Sequence, residues 1–289
     1  MSAVPQIFDH SLRRQRLRRA LAGTPATFLL DRAAEDLGDR LATIKRNFVD
    51  VLDFGTPLAA GTAAVARHAP EAAIQSIAAE ADLEGPALTQ GRHDLIVSLL
   101  ALQTLNDLPG VLAQVRRALR PDGLFLAALI GGASLQELRS VLIEAESETK
   151  GGAAPRVAPF ADVRSLGQLL QRAGFALPVA DSELLTVRYP DPLALLHDLR
   201  AMGATNMLTL GARRPLGRET LARALDLYRA RFADADGRVR ATFEIVWLSG
   251  WAPHESQQKP LKPGSAEMRL ADALAAVKQR KTGGGEEEI

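Results

Sequence analysis

The sequence contains no cysteine and only five histidines. Without cysteine the chain can form no disulfide, no thiol nucleophile and no cysteine-ligated metal centre. No two histidines have the spacing of a two-histidine ligand set on one helix, so His254 beside Glu255 is a poor basis for metal chemistry. We predict no metal site, and the lack of cysteine fits a reducing compartment, which we take to be the cytoplasm.

An excess of either charge is also missing. The chain has 35 Lys and Arg against 34 Asp and Glu, a formal net charge of +1, which gives no reason to expect a nucleic-acid partner. The longest apolar runs, Leu95–Leu102 and Gly123–Ile130, are far shorter than the roughly 20 residues of a membrane-spanning helix. We therefore expect a soluble α/β protein without a transmembrane segment.

The N-terminal stretch is rich in arginine, with five between Arg13 and Arg19. Leucines at helical spacing accompany them, and a second amphipathic segment runs from Leu30 to Leu41. This pattern predicts two helices rather than a transit peptide. The arginines form either a solvated helix face or a site for an anion or an acidic partner.

The most informative stretch is VDVLDFGTPLAAG, from Val49 to Gly61. A short apolar β-type run meets Asp53, Phe54 and Gly55, and a small-residue segment then begins a helix. In an α/β sheet, a glycine at such a turn lets a ligand approach the backbone amides of a helix start. One glycine after a strand is equally compatible with a structural strand-helix turn.

The chain continues as a βαβ unit. Residues 93–100 read as a buried strand, 107–119 repeat apolar residues at helical spacing, and Gly123–Ile130 is a second buried strand after the turn Arg120-Pro121-Asp122-Gly123. Ala60–Arg67 reads as a helix, and Ala72–Ala79 as a strand plus loop or a second helix. A right-handed βαβ crossover predicts a mostly parallel sheet.

Several strings match a known family: Leu52-Asp53-Phe54-Gly55, His93 to Ser98, Asn106 to Gly110, Arg120 to Leu124, and GWAPHESQQKPLKPGSA from Gly250 to Ala266. They resemble the class I S-adenosylmethionine-dependent methyltransferases, in the branch of the biotin-synthesis malonyl-carrier-protein O-methyltransferase and mitochondrial complex I assembly factor five. The resemblance covers almost the whole chain. It implies a Rossmann-like, mostly parallel sheet with N-terminal helices and a helical lid insertion.

The resemblance also implies a site for S-adenosylmethionine. Asp53, Gly55 and Thr56 match the start of the motif that holds the methionine end of the cofactor, and Asp82 is the candidate for the adenine amino group. Leu100 and Gln103 follow the strand where the family lines its pocket. The alternative is that Asp53 only caps a helix and Asp82 only lies in a surface loop.

Two departures from the family pattern imply a weakened or lost cofactor. Pro57 and Ala59 stand where the family has glycines, so an amide donor is lost and a Cβ narrows the space. The stretch from Thr56 to His93 is also shorter than the roughly 65 positions that three helices and two strands require. We expect about one strand and one helix to be missing, including the strand whose acidic residue would bind the ribose, unless Glu71 or Glu80 replaces it.

The remaining predicted elements complete a division of the chain into five regions. A helix from Phe160 through Leu170 ends at Gly174, a strand covers Leu184–Tyr189, a lid helix covers Asp191–Ala201, and a last helix covers Thr220–Phe232 before a closing strand, Ala241–Ser249. The regions are N-terminal helices (1–48), methyltransferase core (49–158), lid and substrate region (159–240), closing strand and C-terminal segment (241–275) and a flexible tail (276–289).

The resemblance implies two kinds of function. The first is S-adenosylmethionine-dependent methylation of a protein or a small carboxylate acceptor, in a cleft lined by Asn206, Trp251 and His254 beside Gln103. The second is a non-catalytic or arginine-hydroxylating assembly factor for respiratory complex I. A protein partner or substrate, such as a respiratory-chain subunit, is expected in both.

Overall fold

The computed structural model describes residues 5–85, 87–209 and 215–258. The helices are α1 (His10–Leu21), α2 (Phe28–Thr43), α3 (Ala60–His68), α4 (Leu108–Ala118), α5 (Gln136–Lys150), α6 (Val163–Ala173), α7 (Pro192–Ala201) and α8 (Arg218–Phe232). The strands are β1 (Asp50–Phe54), β2 (Ala73–Ile77), β3 (His93–Leu99), β4 (Leu119–Ile130), β5 (Ala176–Tyr189) and β6 (Val239–Trp251). Within the described ranges, no helix combines the length and apolarity needed to cross a membrane.

One six-stranded sheet carries the fold, in the order β2-β1-β3-β4-β6-β5. The first four strands are parallel, whereas β6 runs antiparallel to both β4 and β5. The predicted mostly parallel sheet is confirmed. The carboxyl ends of β1, β3 and β4 meet at one edge, where ligands of open α/β sheets bind.

Alternating residues of the strands contribute side chains to separate hydrophobic cores on the two faces of the sheet. Leu52, Ile96 and Phe125 pack with α4 and α6, whereas their sequence neighbours pack with α2 and α3. This follows from the period of two along a strand. A third core joins α5, α7 and α8 to the first half of β6.

The region between β1 and β3 is shortened, as expected. For Ala72–Ala79 the sequence left open a strand plus loop or a second helix, and the structure has strand β2 there, which pairs with β1 along its whole length. Of the two strands and three helices expected between Thr56 and His93, the described residues contain one strand, β2, and one α-helix, α3, so the expected shortening is confirmed. The shortening falls between Ile77 and His93, where the described residues form no helix or strand.

The C-terminal half follows the predicted elements with longer strands. Helix α6 ends at Gly174, whose φ of 83° gives the predicted glycine cap. Strand β5 starts at Ala176, so the predicted lid region contributes an edge strand to the main sheet. The chain divides into two units between Pro253 and His254, and the predicted tail, 276–289, lies outside the described residues.

Candidate functional site

The turn after β1 is built around Gly55. Its φ is +79°, and its N–H donates to the Ile77 carbonyl at 3.0 Å. A Cβ at this position would lie 2.6 Å from Cδ1 of Leu83. Glycine is therefore required here by both conformation and space.

Two residues after this glycine adopt the left-handed backbone conformation that favours glycine, although neither is glycine. Leu58 and Ala59 have φ values of +55° and +53°, and α3 begins at the following residue. Left-handed backbone in L-residues is unfavourable by about 1–2 kcal/mol per residue. Ala59, one of the two departures from the family pattern, therefore has a side chain but keeps a left-handed backbone. Strain of this kind clusters at functional sites.

Asp53 and Thr56 hold this turn from beneath. The Asp53 carboxylate is fully buried and accepts from the Thr62 amide at 2.7 Å and the Thr62 hydroxyl at 2.8 Å. Burial raises the pKa of Asp53, against the opposing effect of hydrogen bonds from Thr56 and Thr62. The Thr56 hydroxyl accepts from the Leu99 amide at 3.0 Å, which ties the turn to the end of β3. Both residues therefore shape the site without lining its cavity.

The segment after β3 supplies the second wall. Leu100 has a φ of +51°, and its amide donates to the Ala128 carbonyl at 2.8 Å. The Gln103 side-chain amide donates to the Leu100 carbonyl at 2.7 Å, and this contact orients the amide because a carbonyl only accepts. The Gln103 Oε1 atom is buried, without a hydrogen-bond partner in the described part of the chain.

A cavity of about 660 Å³ lies at this edge. Four of the predicted site residues line it, from three different segments of the chain: Gly55, Leu100, Gln103 and Asn206. The Asn206 side chain is held by the Pro155 carbonyl at 3.3 Å and the Leu208 amide at 3.0 Å. The sheet edge and the end of α7 thus meet around one space.

The other predicted residues lie elsewhere. Asp82 accepts from the amides of Glu84 and Gly85 at 3.1 Å and lines a separate hollow of about 50 Å³. Trp251 pairs with Leu124 at the amino end of the parallel strands, because β6 runs antiparallel, so the structure does not bring it to the cavity. His254 belongs to the second unit, where its Nδ1 lies 2.7 Å from the Ser256 hydroxyl.

Helix α1 carries the arginines for which the sequence left open a solvated face or a site for an anion or an acidic partner. Arg13 is buried, donating from Nε to the Thr104 hydroxyl at 3.0 Å and from Nη2 to the Ala79 carbonyl at 2.9 Å. Arg16 also lines the cavity, and its buried Nη1 has no hydrogen-bond partner among the described residues. The missed signal is helical spacing, since Arg13, Arg16, Leu17 and Ala20 share one face with the apolar stripe. The prediction of a solvated arginine face holds for the exposed Arg14, Arg18 and Arg19 alone.

The far wall is apolar. It comes from α5 and the residue before it, α7, β6 and the segment leading into α8, and includes Leu135, Leu138, Leu142, Leu196, Leu199, Leu216 and Phe243. The charged lining is cationic: Arg13, Arg16, Arg156 and Arg200, with no Asp or Glu among the described residues that line the cavity. Arg156 is paired with Glu146 at 2.5 Å, and that contact lowers the pKa of Glu146. The cavity therefore favours an anionic group over a cationic one.

Comparison with known proteins decides the family. The methyltransferase-domain family matches residues 28–178, which is more than half of the chain. The arginine-hydroxylase NDUFAF5 of Danio rerio mitochondria is 33% identical, covering 92% of this chain and 89% of its own.

This chain belongs to the methyltransferase-domain family.

Relatives in the family fall into the two groups that the sequence resembles. Besides the mitochondrial arginine-hydroxylases, the malonyl-[acyl-carrier protein] O-methyltransferase of Gallionella capsiferriformans is 29% identical over 86% of this chain and 92% of its own. Among solved structures, the YcgJ protein from Bacillus subtilis has a TM-score of 0.50 at 12% identity over 76% of this chain and 99% of its own, a likeness of fold alone. Searching the described residues for three or more clustered metal-ligating side chains finds no such group.

Proposed function

We propose that this chain binds S-adenosylmethionine in the cavity and transfers its methyl group to an anionic acceptor, a carboxylate on a protein or small molecule. The observation that carries the proposal is the meeting of the Gly55 turn with the Leu100–Gln103 segment around a cavity of about 660 Å³. Cavities of this size hold drug-sized ligands. We propose that Gly55, Leu100 and Gln103 contact the cofactor, with Asp53 and Thr56 shaping the turn.

The residues present suit the cofactor in two respects. Gly55 and Gln103 both line the cavity, and two buried polar atoms of the lining, on Arg16 and Gln103, lack partners in the described chain. When bound, S-adenosylmethionine supplies an electrophilic methyl group, whose transfer to a carboxylate oxygen forms an ester and leaves a neutral thioether. Positioning provides most of the rate in such a transfer, so no acid/base triad is needed. Asp82, beside the cavity rather than in it, stays a candidate for the adenine amino group.

The lining charge supports an anionic acceptor. A guanidinium acceptor would lie in a cavity that carries arginines and, in the described lining, no carboxylate. The positive sulfonium adds to this charge, so an anionic acceptor offsets both. The apolar wall suits an acceptor whose carboxylate is attached to an apolar body.

A second candidate function follows from the relatives. The NDUFAF5 similarity extends over 92% of this chain, so arginine hydroxylation or assembly of respiratory complex I is the alternative. Mass spectrometry of candidate respiratory subunits from cells with and without the gene distinguishes methylation from hydroxylation, and co-purification tests a scaffold. A gene-dependent methyl increment supports methylation of a protein, an oxygen increment supports hydroxylation, and a stable stoichiometric partner without cofactor supports a scaffold.

Calorimetric titration with S-adenosylmethionine and S-adenosylhomocysteine tests cofactor binding. A ligand at about 100 times its Kd stabilises the folded state by about 2.7 kcal/mol, which gives a measurable rise in Tm. Leu58→Trp should block binding, because Leu58 lines the cavity and its side chain is 49% exposed, leaving room for a larger one. Val49→Trp, at an exposed position at the other end of β1, is the matched control and should bind normally. Absence of heat and of a Tm shift at millimolar ligand would refute the proposal.

A further inference from the structure

Two polar atoms in the cavity wall, one donor and one acceptor, lack hydrogen-bond partners among the described residues. Arg16 offers a buried N–H donor that carries positive charge, and Gln103 offers a buried carbonyl acceptor, and neither has a partner in the described chain. An unsatisfied buried polar group is unfavourable, so such groups in a cavity wall point to a ligand that completes them.

The surrounding contacts hold in place the two segments that carry these atoms. Arg13, one turn before Arg16 on the same face of α1, is bonded to Ala79 after β2 and to Thr104, the neighbour of Gln103. This anchor holds the helix face that carries Arg16 against the segment that carries Gln103. The Gln103 amide cannot flip to satisfy itself, because its Nε2 already donates to the Leu100 carbonyl at 2.7 Å.

The groups that complete this pair are a carboxylate for Arg16 and a donor, such as an ammonium, for Gln103. We infer that Arg16 and Gln103 hold the amino-acid end of S-adenosylmethionine, with Arg16 binding its carboxylate and Gln103 accepting from its ammonium. This assignment rests on the proposed function, since the cofactor is the ligand in question. An acceptor carboxylate is the other source of an anion for Arg16, and the choice of ligands in the test separates the two.

The charge state of Arg16 is consistent with this role. Burial lowers the pKa of Arg16, and repulsion by Arg19 lowers it further, whereas attraction by Asp9 raises it. No ion pair is formed by Arg16 within the described residues. A bound carboxylate would supply the missing counter-charge.

Ligand analogues allow a direct test by calorimetry, without an activity assay. We expect wild-type protein to bind S-adenosylmethionine at least about tenfold more tightly than its decarboxylated form, because a charged hydrogen bond is lost. Arg16→Met should remove this preference and should leave the affinity for 5′-methylthioadenosine, which lacks the whole amino-acid end, unchanged. Gln103→Met should likewise remove the preference for S-adenosylhomocysteine over its deaminated analogue. Arg19→Met, on the exposed side of the same helix, is the control and should keep both preferences.

A melting curve separates this role from a structural one. Because Arg16 has an unpaired buried group in the free protein, Arg16→Met should not lower the Tm of the ligand-free form. An Arg16→Met variant that keeps the wild-type preference for the carboxylate would overturn the inference while leaving the proposed function standing, with Arg16 then free for the acceptor. Failure of the wild type to bind any of these adenosyl ligands would overturn both.

Discussion

At the scale of single residues, the turn after β1 stores conformational strain. Ala59 has a φ of +53° and directly precedes α3, so a residue with a side chain occupies a position suited to glycine. Asp53 lies beneath the same turn, and Gly61 packs so closely on it that an added Cβ would be 2.8 Å from both carboxylate oxygens. The turn is therefore shaped by contacts that tolerate little change.

Replacing Ala59 by glycine should stabilise the protein. Relief of the left-handed conformation, about 1–2 kcal/mol, exceeds the entropy penalty of glycine, about 0.5–1 kcal/mol. We expect a net gain of about 0.5–1 kcal/mol and a Tm rise of about 2 °C, measured by calorimetry. Ala60→Gly is the matched control, because Ala60 has a helical φ of −63°, and it should destabilise. A lower Tm for Ala59→Gly would contradict the strain argument.

The buried Asp53 carboxylate predicts a pH dependence of stability. Its folded-state pKa is raised by burial, so above its unfolded pKa of roughly 3.9 the folded state binds more protons and this group's contribution becomes less favourable as pH rises. Asp53→Asn keeps an oxygen for Thr62 and removes the titration. We expect the stability of Asp53→Asn relative to wild type to be highest near neutral pH and to decline on acidification. Denaturant unfolding at several pH values measures it, and a pH-independent difference would count against a raised pKa.

At the scale of elements, α1 is attached to the sheet edge largely by polar contacts. Asn106 accepts from the amides of Ile7 and Phe8 at 2.8 and 2.9 Å, and buried Arg13 reaches Ala79 and Thr104. The helix thereby closes one side of the cavity. Asn106 and Arg13 therefore contribute to this attachment, alongside backbone bonds such as the one from the Asp9 amide to the Met207 carbonyl at 2.9 Å.

Arg13→Met should loosen α1 specifically. Loss of charge-assisted hydrogen bonds, about 1.5–3 kcal/mol, leaves two partners unpaired. We expect faster amide exchange and proteolysis in residues 10–21, with the sheet core unaffected. Arg14→Met, at an exposed position of the same helix, should change stability by less than about 0.5 kcal/mol. Equal effects of the two variants would show that Arg13 is not the anchor.

At the scale of the whole molecule, the cavity is assembled from distant parts of the chain. Its walls come from α1, the turns after β1 and β3, α5, α7 and β6. A ligand that fills the cavity contacts several of these elements at once. The binding energy of such a ligand would therefore be shared between α1 and α7.

Ligand binding should consequently protect α1 and α7 together. We expect saturating S-adenosylhomocysteine to slow hydrogen exchange in both helices, while the exposed edge strand β5 exchanges at an unchanged rate. Hydrogen-exchange mass spectrometry measures this directly. Protection of α1 with no change in α7 would mean that α7 does not take part in binding this ligand.

The sequence by itself determined the local elements and the chemistry of the turn. Periodicity located β3, α4 and α7, and a glycine after an apolar run identified the turn at Gly55, because both signals depend on neighbouring residues. Only the tertiary structure decided which residues share a space. The antiparallel course of β6 places Trp251 at the far edge, and the packing of α1 turns Arg13 and Arg16 inward while Arg14 and Arg18 face solvent. These outcomes depend on strand order and helix docking, which are set by contacts between residues far apart in the chain.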